Sequence, residues 1–370
     1  MHSTSKRRDH ILGLMVGVAI GDALGFAREG LERRAALKLF GRKPLKYALL
    51  PGKAIYSDDT QLMLMAAQAT VQCRGDHRRL VRNYQTRLSA YLFSLPIGIG
   101  RATISAAFRS IFRFTGLKTG VNSAGNGPCT RALFCSLAIN GTGYSMRRWM
   151  SEICKVTHTD PVAIEACLVL GQVSEYGATH QGEKFSSAEA LKVAIAACDD
   201  PKLLEPLSKL DSFLKQRRSP SAVARSFGWG RGVSGYIVPS VVMAIYCWLR
   251  YPEDFRKAVE SSICLGGDAD SVGAIVGGLS GGHLGIAKIP EDLQKGLVFE
   301  PHGKEWMEKM AERMSHWPHG AEDLNAAPGL PIQPVLQLFR NLYTILFVLL
   351  HLIYRLLGWL ITSKKPRRER

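Results

Sequence analysis

Two short acidic runs lie about two hundred residues apart: Ser57-Asp58-Asp59-Thr60 and Asp268-Ala269-Asp270-Ser271, the second preceded by Gly266-Gly267. Each supplies carboxylates beside a hydroxyl, and oxygen donors suit hard cations such as Mg²⁺, Mn²⁺ or Ca²⁺. Neighbouring carboxylates need a compensating charge once they are partly desolvated. If the runs face one another, they can hold two ions about 3.5–4 Å apart that bridge substrate or water oxygens. Taken singly, each run is also a good helix start: Ser or Asp caps the first amides, and a second Asp sits at the positive end of the dipole. Their joint occurrence, with two glycines that let backbone approach a ligand, points beyond capping to a metal site.

Other chemistry-bearing residues also sit at loop-to-helix junctions. They are Gly21-Asp22-Ala23-Leu24-Gly25 with Glu29, Gly125-Asn126-Gly127-Pro128, and Thr157-His158-Thr159-Asp160-Pro161. Alone, His158 reads as a solvated or hydrogen-bonded loop side chain and Asn126 as a turn residue. Arg131 either neutralises a phosphate or rides at the surface.

The elements that must position these residues read as helices. Apolar residues recur at three- and four-residue spacing over 61–73, 130–139, 162–175, 187–198, 237–250 and 271–286. Strand-like alternation is rare, so the expectation is an all-α domain over residues 1–319. Glycines recur every fourth residue at Gly13, Gly17, Gly21 and Gly25, and again at Gly273, Gly277, Gly281 and Gly285. That spacing lets helix backbones come close. It marks the apolar N-terminal stretch as a core helix instead of a signal peptide, and Asp9 and His10 interrupt the basic-to-apolar junction a signal would need. Eight cysteines occur without a CxxC pair, so a zinc ribbon is not indicated, and buried, reduced thiols in a cytoplasmic protein are the simplest reading. The formal charge of +17 favours anionic partners. No dense basic stripe interleaved with aromatics is present, which argues against a dedicated nucleic-acid module.

A proline-bearing linker, residues 320–334, leads to a strongly apolar segment at 335–363 and a basic tail, KKPRRER, at 364–370. The segment is long enough to span a bilayer. At about 100° per residue, however, Gln337, Arg340, Thr344, His351, Arg355 and Thr362 share one narrow face. Three readings stand open: a span with its polar stripe against a partner helix, a helix lying in the membrane interface, or a helix packed on the domain or another subunit. Arg355 inside a span would cost about 2.5–3.5 kcal/mol. Membrane association through this tail is the expectation.

The ordered set GDALG with Glu29, YSDDT, GNGPCTR, THTDP, GYIVPSVVMAIY and LGGDADSVGAIVGG resembles the ADP-ribosylglycohydrolase family, which includes dinitrogenase reductase-activating glycohydrolases, over roughly residues 9–315. The resemblance implies a multi-helix domain with a central dinuclear cleft holding two Mg²⁺ ions, with Mn²⁺ as the alternative. It implies metal ligation by Ser57, Asp58, Asp59, Asp268, Asp270 and Ser271. It implies Asn126 and Gly127 at the diphosphate–ribose, His158 at the sugar or phosphates, Tyr236 beside the adenine, and Glu29 as a mobile carboxylate at the mouth. Members more often carry Thr at the positions of Ser57 and Ser271 and read GGDTDT where this chain has GGDADS. Phe26-Ala27-Arg28 replaces a proline-containing segment.

The resemblance therefore implies a magnesium-dependent hydrolase that cleaves the glycosidic bond between ADP-ribose and a protein or small-molecule acceptor. Asp58, Asp59 and Glu29 are the candidate catalytic carboxylates. The linkage stays open among arginine, serine, nucleic acid and others. The alternative is an inactive ADP-ribose-binding or structural protein tethered by its tail.

Overall fold

The computed structural model describes residues 2–41, 43–297, 301–317, 330 and 333–363. Its helices are α1 (His2–Phe26), α2 (Arg33–Phe40), α3 (Asp58–Cys73), α4 (His77–Leu92), α5 (Arg101–Ile111), α6 (Cys129–Ile139), α7 (Met146–Lys155), α8 (Pro161–Thr179) and α9 (Ser187–Ala196). They continue as α10 (Pro201–Lys215), α11 (Pro220–Ser226), α12 (Ile237–Arg250), α13 (Phe255–Ile263), α14 (Ala269–Leu284), α15 (Glu291–Gln294), α16 (Lys304–Ser315) and α17 (Pro334–Ser363). The all-α expectation holds. The strand content of the described residues, two-residue β1 (Leu31–Glu32) paired antiparallel with β2 (Gly266–Gly267), serves to join two loops.

The two glycine series meet each other. α1 and α14 run antiparallel in backbone contact. A Cβ added at Gly17 would lie 2.1 Å from the carbonyl oxygen of Gly277, and one at Gly277 would lie 2.0 Å from that of Gly17. The same contact recurs between Gly21 and Gly273 and between Gly13 and Gly281. No side chain larger than hydrogen fits along this seam. Gly285 departs from the expected helix: with φ 79° it ends α14 at Leu284. α3, α6, α13 and α16 pack on α1, and α6, α8, α12 and α13 on α14. α1 is lined with buried residues from Ile11 to Phe26, as expected of a core helix. The eight cysteines are all free, and seven are buried.

The antiparallel register has one consequence for chemistry. The end of α1, bearing Asp22 and Gly25, is placed beside the start of α14. A Cβ at Gly25 would meet the carbonyl oxygen of Ala269 at 2.3 Å.

α17 covers the expected tail helix. Of the linker, only Leu330, Gln333 and Pro334 are described, and residues 364–370 lie outside the described set. α17 rests on the domain by its polar stripe. Asn341 donates to the Ser94 carbonyl at 2.7 Å, and Arg340 donates to that of Tyr56 at 2.5 Å while lying over the Tyr56 ring. His351 bonds the Ala27 carbonyl at 2.9 Å and stacks on Phe40. Arg355 donates to the Glu29 carbonyl at 3.3 Å. α1 and α17 are both long and apolar enough to cross a membrane, but α1 is almost wholly buried and α17 mostly is not.

The seam predicts a sharp contrast between two similar substitutions. Gly277→Ala forces a methyl into the Gly17 carbonyl and should destabilise by about 3 kcal/mol, the upper range for overpacking. Gly282→Ala, whose added carbon would meet only Leu14 and Leu137 side chains at 3.5–3.7 Å, should be neutral or stabilise by up to about 1 kcal/mol through helix propensity. Urea unfolding of the two variants checks this.

Candidate active site

α3 begins at the acidic run because its first turn is capped twice. The Ser57 hydroxyl accepts from the Asp59 amide at 3.3 Å. Asp22, fully buried on α1, accepts from the Ser57 amide at 2.7 Å, the Thr60 amide at 3.0 Å and the Thr60 hydroxyl at 2.6 Å. The Asp58 and Asp59 side chains are thereby left for the cavity. Opposite them, β1–β2 pairing and the bond from the Asp268 amide to the Val233 carbonyl (2.7 Å) fix the start of α14. The halves touch directly: the Ser271 hydroxyl donates to the Asp59 carboxylate at 2.7 Å.

Two loops close the other side. The Asn126 amide side chain donates to Asp268 at 2.7 Å and to the Ser240 hydroxyl at 2.9 Å. His158 is buried, its Nδ1 2.7 Å from the Thr157 hydroxyl. Arg131, expected at a phosphate or at the surface, does neither. It is fully buried, donates to the carbonyls of Gly127 (3.0 Å) and Ile153 (3.2 Å) and to the Thr157 hydroxyl, and lies 5.3 Å from the Tyr84 ring. It ties the GNGP and THTDP loops together, because a buried guanidinium must find an acceptor for nearly every donor. Asp160 caps α8 through the Val162 amide, with Pro161 in the first turn where its missing N–H costs nothing.

These parts enclose a cavity of about 610 Å³. Among its lining are Glu29, Asp58, Asp59, Asp268, Asp270, Ser271, Asn126, Gly127 and His158, so nine of the eleven residues singled out from sequence share one surface. Ser57 stays behind it as the cap of α3, and Tyr236, 40% exposed, lies outside the lining although Ser234 and Gly235 belong to it. Sequence reasoning missed the Gly98–Thr103 segment, Ser123 and Arg231, which also line the cavity. It also left Asp22 without a role. The signal for Asp22 was an acid inside an otherwise apolar helix, yet its partner Thr60 is remote in sequence.

The electrostatics are those of crowded buried acids. Burial first, then repulsion from Asp22 and Glu29, pushes the Asp58 carboxyl well above the usual carboxylate range. Asp59 rises by burial and by Asp58, and Asp270 by burial and by Glu29. Glu29 is raised to about 7 by burial, Asp268 and Asp22, against a downward pull from Arg355. His158 is lowered to about 3 by burial and by Arg131, so the imidazole is neutral at physiological pH.

The donor chemistry fits a hard cation. It is all oxygen, it is over-supplied with negative charge, and Asp270 Oδ1 is buried without a hydrogen-bond partner. Among the described residues, no three acidic, imidazole or thiol groups meet closely enough to hold an ion as they stand. Asp59 and Asp268 are turned to Ser271 and Asn126 instead.

A sequence model of the ADP-ribosylglycohydrolase family matches residues 3–323, and the chain belongs to that family of hydrolases acting on glycosyl bonds. It is 26% identical over 297 residues to the ADP-ribosyl-[dinitrogen reductase] glycohydrolase of Rhodospirillum rubrum, covering 76% of this chain and 88% of that one. It is 24% identical over 324 residues to the ADP-ribosylarginine hydrolase Tri1 of Pseudomonas putida, covering 82% and 78%. A solved structure, an ADP-ribosylglycohydrolase-related protein complex, matches with a TM-score of 0.63 and 25% identity over 85% of this chain and 99% of the other.

The raised carboxyls set a testable sign. A carboxyl whose folded value lies above its unfolded value stabilises at low pH and loses that contribution as pH rises through the folded value. In chelator, Asp270→Asn should therefore melt higher than the parent chain at pH 8, by about 2–4 °C for each kcal/mol of relieved repulsion. The gain should shrink at pH 5. Paired melting curves in EDTA check it, and a lower melting temperature for the variant at pH 8 contradicts it.

Proposed function

We propose that this chain is a magnesium-dependent hydrolase that removes ADP-ribose from an acceptor, with arginine-linked ADP-ribose as its preferred substrate. The observation that carries the reading is the convergence of Asp58, Asp59, Asp268 and Asp270 on one cavity that also presents Asn126, Gly127 and His158. Family membership supports the bond type. The arginine preference is supported by Glu29 on the lining, whose carboxylate favours a cationic acceptor, and by the arginine-linked activity that names the Pseudomonas putida relative; Glu32, also on the lining, is already paired with Arg231.

Divalent cations bound by Asp58, Asp59, Asp268, Asp270 and Ser271, with Ser57 joining them only if its hydroxyl turns from the α3 cap into the cavity, would offset the carboxylate charge and polarise oxygens of the ribose or of water. The chain's own groups do the rest. Asn126 and the Gly127 segment offer neutral contacts to the ribose–diphosphate, and the uncharged His158 serves as a hydrogen-bonding group, not as a cation. The bond from the anomeric carbon to the acceptor breaks through a state with positive charge on the ribose, which the surrounding carboxylates favour. Glu29, raised to about 7, is poised to take a proton from water and pass one to the leaving group near neutral pH.

The test is release of ADP-ribose from arginine-linked, serine-linked and nucleic-acid-linked substrates, with Mg²⁺, with Mn²⁺ and with chelator. The expected result is metal-dependent turnover that is fastest on the arginine linkage. Asp59→Ala or Asp270→Ala should lower kcat by about a hundredfold or more, the scale of a lost acid–base or charge-stabilising group. Full activity of either variant, or of the parent in chelator, would refute the reading. ADP-ribose binding without turnover on any linkage would leave a binding protein in its place.

A further inference from the structure

α17 is an amphipathic helix mounted the reverse way round. Arg340, Asn341, Thr344 and His351 are each at most 9% exposed, whereas Phe339, Leu342, Leu346, Leu349, Leu350 and Ile353 are each at least 42% exposed. The polar stripe has a reason to face inward, since it satisfies backbone carbonyls of Tyr56, Ala27, Ser94 and Glu29. From Val335 to Leu356 the outward apolar face has no partner among the described residues. Phe93 and Leu95, 76% and 50% exposed, flank the Ser94 that holds Asn341 and widen the patch. The helix also lies beyond residue 323, where the family match ends, so it is an addition to the family's domain.

We propose that this face docks the enzyme on an anionic bilayer, with α17 lying in the plane of the interface and its polar stripe still held by the domain. Two observations select lipid over other occupants. First, the charge beside the helix is complementary to an anionic surface. Residues 33–57 carry seven basic side chains and no acidic one. This segment flanks α17: Phe40 stacks on His351, and Leu49 and Ile55 pack with Tyr343, Phe347 and Val348. Arg34, Lys38 and Lys46 on it are exposed. The chain then ends in KKPRRER. Second, a helical partner such as a second copy calls for a narrow seam bordered by charges that set register and choice of partner. Here Leu336, Leu352 and Tyr354 are also exposed, which makes the face broad, and residues 335–363 hold no acidic side chain. A broad apolar face with basic flanks is the signature of an interfacial helix. A span is disfavoured because it would strip Arg340, His351 and Arg355 of the carbonyls they now hold.

The full chain tests this without reference to its activity. Co-sedimentation with vesicles of phosphatidylcholine containing about a third phosphatidylglycerol should capture it at least tenfold better than pure phosphatidylcholine. The double variant Leu349→Glu/Ile353→Glu, altered only at exposed positions, should lose binding by at least tenfold while keeping the parent melting temperature. Bound protein should be released by alkaline carbonate. Three outcomes overturn the proposal: no binding to anionic vesicles, retention after carbonate (an inserted span), or a soluble dimer that the double variant dissolves (a second copy as occupant).

Discussion

The contact on which the rest of the structure depends is the backbone-to-backbone seam of α1 and α14. Gly13, Gly17, Gly21 and Gly25 of α1 and Gly273, Gly277 and Gly281 of α14 each meet a carbonyl oxygen of the other helix at a distance that leaves no room for a Cβ. Side chains usually set the separation and register of a helix pair. Here the backbone sets both, so the pair can neither slide nor part without losing contact along its whole length. Register is what the chemistry needs, because the end of α1 and the start of α14 each carry part of the acidic cluster.

From that seam the site follows by short steps. Asp22, held by α1, caps α3 and so fixes where Asp58 and Asp59 project. The start of α14 brings Asp270 and Ser271 to face them, and Ser271 closes on Asp59. Arg131 fastens the two loops that bring Gly127 and His158 to the same cavity. The assembly gathers mutually repelling carboxylates in a buried place. Such a cluster is an unfavourable element of the apo fold, and it is tolerated because the seam and the surrounding core hold it together. α17 adds its own restraint, holding the backbone at Tyr56, Ala27 and Glu29, which adjoin the acidic residues on two sides.

Much of this was legible in the residues. The starts of α3 and α14 could be read because capping residues, acids and the onset of apolar periodicity coincide there. The glycine spacing announced two close-packing helices, but nothing local says that each series is the other's partner, since that depends on a fold-wide register. Asp22 and Arg131 were misjudged for a common reason. A charged residue is buried when its partners come from distant segments, and Thr60, Thr157 and Ile153 are not neighbours in sequence. The polar stripe of α17 was plain from its period, yet periodicity tells which residues share a face and not which face turns inward. Hydropathy alone would bury the leucines. The unsatisfied carbonyls of the loops beneath reverse that choice, because a buried polar group without a partner costs more than an apolar side chain left at the surface.

The central claim is that two acidic segments, brought into register by the glycine seam, form one cation-dependent hydrolytic centre. Anomalous diffraction from crystals of the full chain grown with Mn²⁺ addresses it most directly. The account predicts manganese density within coordination distance of both Asp58 or Asp59 and Asp268 or Asp270, with Asp59 released from Ser271 to reach it. Manganese bound only elsewhere, or absent from this cavity at saturating concentration, would contradict it.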